Sequence, residues 1–75
     1  MPRLPRITVA ELLRALRKVG WYEVRQRGSH LRLHHPTQPR FITVPVHQGE
    51  IVKPGTLAGV LEQAGISVEE LRRLL

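Results

Sequence analysis

The chain has 75 residues, 41% of them hydrophobic, with twelve Lys and Arg against six acidic residues, and no cysteine. Such a length allows one core, because it buries only roughly 60% of the surface exposed in the unfolded chain, so residues 1–75 are read as a single domain; the missing thiols exclude a disulfide framework or thiolate metal centre. No apolar run approaches the ~20 residues of a membrane span, and Pro2 and Pro5 break the N-terminal stretch a signal peptide would need, so a soluble, cytoplasmic protein with no membrane partner is expected.

Thr8 followed by Glu11 is a capping box, in which hydroxyl and carboxylate each satisfy an amide that a first helical turn leaves bare. A helix is therefore expected from Val9, with Val9, Leu12, Leu13 and Leu16 at the i, i+3, i+4, i+7 spacing of one apolar face. Gly20 closes it. From Trp21 the period changes to two: Tyr22 and Val24 are expected on one side of a strand, and Glu23, Arg25 and Arg27 on the other. Gly28 suits a tight connection to an antiparallel second strand, where Leu31 and Leu33 alternate with His30, Arg32 and His34. After the Pro36–Pro39 loop, Ile42, Val44 and Val46 alternate with Phe41, Thr43 and Pro45, the proline suggesting an edge or a strand end.

Leu57, Val60, Leu61 and Ala64 repeat the helical spacing, closed by Gly65, and Ser67 with Glu70 forms a second capping box ahead of Val68, Leu71, Leu74 and Leu75. The expected fold class is α+β: a three-stranded antiparallel sheet with helices packed on one face. The alternation assigns the uncovered face to Arg25, Arg27, His30, Arg32, His34 and Thr43.

The positive charge is concentrated in the first two thirds of the chain, which includes this face. Residues 1–47 carry nine basic and two acidic side chains, the remainder three and four. Arginines in a row bind phosphates by charge-assisted hydrogen bonds and stack on unpaired bases, which points to RNA; a merely solvated sheet face is the bland alternative. With only Trp21 and Tyr22 near the strand start, an extended base-stacking platform is not expected. Four histidines raise the question of a metal, but His30 and His34 lie about 13 Å apart along one strand, and no aspartate or cysteine completes a set, so neither metal nor cofactor is expected. Cleavage of RNA without metal needs only a base for the ribose 2′-hydroxyl and cations for the charge that develops on phosphate. An imidazole titrating near neutrality among guanidinium groups supplies both.

The run Arg25-Gln26-Arg27-Gly28-Ser29-His30, then Val44-Pro45-Val46-His47, then Lys53-Pro54-Gly55-Thr56-Leu57 opening a helix that ends Ala64-Gly65-Ile66-Ser67, resembles the HicA mRNA interferase toxins over almost the whole chain. The resemblance implies a double-stranded-RNA-binding-domain-like fold, αβββα with a short C-terminal helix added here. It implies a metal-independent endoribonuclease that cleaves mRNA and blocks translation as the toxin of a type II toxin-antitoxin system, with His30 as general base. Arg25, Arg27, Gly28, Ser29, Arg32, His34 and Lys53 are the expected RNA contacts. His47 is a candidate second proton-transfer group, against a loop histidine of structural use, and the pair His34-His35 leaves the donor to the leaving oxygen open. The implied partners are mRNA and a HicB-type antitoxin, through which a larger complex on operator DNA would form. A non-catalytic RNA-binding module and a purely partner-binding protein of the same fold are the alternatives.

Overall fold

In the computed structural model, which describes residues 3–75, the Thr8 hydroxyl accepts from the Glu11 amide at 3.3 Å and the Glu11 carboxylate accepts from the Thr8 amide at 2.9 Å. That reciprocal pair starts helix α1 (Val9–Lys18), whose apolar stripe buries Val9, Leu12, Leu13, Ala15 and Leu16. The expected interruption of a signal-peptide stretch by Pro2 and Pro5 falls partly on Met1 and Pro2, outside the described residues. Helix α2 (Pro54–Ala64) begins three residues ahead of the first periodic leucine, because Pro54 suits the first helical turn, where its missing amide has no partner to lose. Gly65 ends it in the left-handed conformation at φ 71°. At α3 (Val68–Leu74) only half of the expected capping box forms: the Ser67 hydroxyl accepts from the Glu70 amide.

Strands β1 (Tyr22–Arg27), β2 (His30–His34) and β3 (Ile42–Pro45) make an antiparallel meander in the order β1-β2-β3. Leu31 and Leu33 of β2 and Ile42 and Val44 of β3 turn inward onto Leu12, Leu16, Leu57 and Leu71 of the three helices, with Trp21 completing the core. Each such side chain contributes roughly 1.5–3 kcal/mol on leaving water. Among the described residues, no helix covers the opposite face. The α+β class, the single covered face and the αβββαα order are thus as expected, and β3 does end at Pro45, with Val46 continuing only through a bond from its amide to the Ser29 carbonyl at 2.6 Å.

The phase of β1 differs. Tyr22 lies opposite His34 and Glu23 opposite Leu33, after which the register shifts at Val24 and Arg25 lies opposite Arg32, Gln26 opposite Leu31 and Arg27 opposite His30. Directly opposed residues share a face, so this bulge turns Tyr22 outward with the arginines and Glu23 toward the helices, reversing the sides expected for both. Every residue of β1 is exposed, including Val24 at the bulge. Glu23 gains a partner by the exchange: its carboxylate accepts from the Arg17 guanidinium of α1 at 2.6 Å. Among the described residues, no helix is long and apolar enough to cross a membrane.

Candidate functional site

Gly28 adopts φ 55° and no other residue of the β1–β2 turn has a positive φ, the pattern of a type II′ hairpin in which only the first central position leaves the ordinary region. A Cβ at Gly28 would meet nothing within 4 Å, so glycine is needed there for its backbone angle and not for space. The turn is held to the end of β3 by the Ser29 carbonyl, which fixes where the next residue emerges. That residue is His30. It is exposed, on the face away from the helices, opposite Arg27 on one side and Pro45 on the other.

Arg25 and Arg32 face each other across β1 and β2, and Arg32 faces Thr43 across β2 and β3. Arg25, Arg27, His30, Arg32 and Thr43 accordingly wall one cleft of about 220 Å³. No carboxylate lines it. Such a site can draw in a phosphate, hold its oxygens with several guanidinium donors and offer an imidazole to a proton nearby.

The remaining sequence-derived candidates are placed elsewhere. His47 and Lys53 line a separate cleft of about 180 Å³ with Pro45, Glu50 and Thr56, Lys53 being the N-cap of α2. Ser29 is half-buried in the turn. His34 sits between two rings, 6.4 Å from Tyr22 and 6.0 Å from Phe41, its Nε2 buried without a hydrogen-bond partner. It therefore does not present that nitrogen to a ligand. His35 is structural: Nε2 lies 2.8 Å from the Val19 carbonyl and Nδ1 accepts from the Thr37 amide at 3.1 Å, which together specify the tautomer protonated at Nε2. Among the described residues, no three His, Cys, Asp or Glu side chains are grouped to hold a metal ion.

Sequence reasoning missed one part of this face. The Arg32 guanidinium lies 4.0 Å from the centre of the Phe41 ring, and His34 stacks on the same ring with 22° between planes. Tyr22, His34, Phe41 and Arg32 thus form an aromatic and cationic cluster beside the His30 cleft. Continuing the β2–β3 register one step beyond Leu33 and Ile42 puts His34 opposite Phe41, so the pairing arithmetic contained the signal; Tyr22 was hidden by the bulge.

The comparison with curated proteins returned no match. The family model described as HicA toxin of bacterial toxin-antitoxin matches residues 9–66, from the first residue of α1 to just past the end of α2. That span takes in the whole sheet and the His30 cleft and is well over half of the chain, which therefore belongs to the HicA toxin family and is the toxin of a toxin-antitoxin pair.

Proposed function

We propose that the protein is a metal-independent endoribonuclease that cleaves mRNA in the cytoplasm, acting as one domain over residues 1–75. The observation that carries this reading is the exposed His30 imidazole in a cleft walled by Arg25, Arg27 and Arg32 with no acidic residue among them. In the reaction, His30 takes the proton of a ribose 2′-hydroxyl, and the oxygen attacks the adjacent phosphorus. The bond to the 5′-oxygen breaks, leaving a 2′,3′-cyclic phosphate and a 5′-hydroxyl. The guanidinium groups meet the charge that builds on the non-bridging oxygens, a contribution that is largest where donors are already in place. Gly28 and Ser29 leave the turn beside His30 open to the RNA backbone, and Lys53 supplies charge farther along it. His47, in the separate cleft that Pro45 lines, is the candidate donor to the leaving oxygen. His34 acts indirectly, through the rings it packs against.

The cognate partner is a HicB-type antitoxin that covers this basic face, and the pair would reach operator DNA through the antitoxin. Cleavage of mRNA in excess EDTA is the decisive measurement. His30→Ala should lower the rate by at least about 100-fold, in line with removal of a general base, while the fold and RNA affinity stay nearly unchanged. Cleavage that persists in that variant would remove His30 from the reaction.

A further inference from the structure

A second cleft, of about 420 Å³, adjoins the first and is lined by Arg40, Phe41, Thr43, Glu62 and Gln63. Thr43 is a wall of both. We infer that this second cleft seats an unpaired base flanking the scissile nucleotide and selects bases that carry an exocyclic amino group. The inference rests on the nuclease reading above and adds to it a seat for sequence preference.

Phe41 is 47% exposed, yet its position is fixed by the Arg32 guanidinium at 4.0 Å and by stacked His34. A residue braced by neighbours while close to half of it still meets water can take a stacked base on the part of its ring the guanidinium leaves uncovered, and little order remains to be imposed when the base settles. Its volume falls within the range of small-ligand sites. Phe41, the residue before β3, and Thr43 within it are two residues apart on one side of the sheet, roughly 7 Å, so an RNA strand leaving the His30 cleft reaches the ring within a short step. Arg40 adds a cation at the cleft for the phosphate between them.

Glu62 decides what kind of group enters. A carboxylate repels phosphate and equally repels an acidic protein surface, but it accepts from the amino group of cytosine, adenine or guanine, and the neighbouring Gln63 amide offers both a donor and an acceptor to a base edge. Uracil has no amino group and offers the carboxylate only its ring N3–H, set between two carbonyl oxygens that the carboxylate repels.

The test uses short single-stranded RNAs with one cleavable step and each base in turn on either side of it. Phe41→Ala should raise KM about tenfold, as expected for a lost stacking contact, with kcat little changed, and Phe41→Trp should restore it. Glu62→Gln should erase the preference for amino-bearing bases over uracil. Wild-type cleavage that is indifferent to Phe41→Ala and to the flanking base overturns the base seat and leaves the nuclease reading intact. Loss of antitoxin binding by Phe41→Ala with KM unchanged assigns the cleft to the protein partner and also overturns it. A wild-type protein that neither binds nor cuts RNA overturns the reading on which it rests.

Discussion

Gly20 answers two demands at once. Its φ of 102° lies where side chains are strained, and a Cβ there would come within 2.5 Å of the His35 Nε2, the atom that bonds the Val19 carbonyl. The ring cannot retreat, because Trp21 packs edge-on against it at 5.1 Å and Thr37 holds its other nitrogen. Gly20→Ala should therefore cost about 3 kcal/mol in urea denaturation, combining backbone strain with displacement of the histidine. Gly28→Ala, with a positive φ but open space, should cost only about 1 kcal/mol. Equal losses at the two positions would contradict this account. His35 shows why residue type alone misleads: of two adjacent histidines one braces α1 against the loop after β2, while the other packs between rings with its Nε2 buried.

At the level of elements, α1 depends on its first turn. Hydrogen bonds from the Thr8 amide and then the Thr8 hydroxyl, with Arg14 nearby, hold the Glu11 carboxyl below its usual range. The contribution of that carboxylate to folding is then present above the ordinary carboxylate value and is given up as acidification passes through the lowered one. Glu11→Ala should accordingly shift the urea midpoint more at pH 7 than at pH 3, and Thr8→Ala should cost about 1 kcal/mol at neutral pH. The helices, their caps at Thr8 and Ser67 and the inward leucines were all legible, because spacing and capping are local properties of a few consecutive residues. The phase of β1 was not. A bulge leaves no mark in composition, and period-two counting from Trp21 assigned Tyr22 and Glu23 to the wrong sides. Arg25, Arg27, His30 and Arg32 were grouped correctly because they lie past the bulge or on the neighbouring strand, whereas the Phe41 cluster joins β1, β2 and the residue before β3, and Glu62 and Gln63 lie on α2, too far along the chain for any local pattern to join them.

For the molecule as a whole, the outer face of the sheet carries Arg25, Arg27 and Arg32 with no acidic side chain opposite them, while the acidic residues that follow β3 lie largely in and around α2 and α3. Binding to single-stranded RNA should weaken with salt, and Arg27→Ala should lower the slope of log affinity against log salt by about 0.7 if that side chain meets one phosphate; an unchanged slope would take Arg27 out of the contact. The extra residue at Val24 also makes the hairpin forgiving of length at a single point. Excising Val24 would leave Tyr22, Glu23, Arg25, Gln26 and Arg27 in an unbroken one-to-one match with His34, Leu33, Arg32, Leu31 and His30. Excising Gln26 two places later, with the turn still holding Arg27 opposite His30, would move Arg25 opposite Leu31 on the helix side and empty one wall of the His30 cleft, so two shortenings of equal size should part company, one keeping all three arginines of the face outward and the other not.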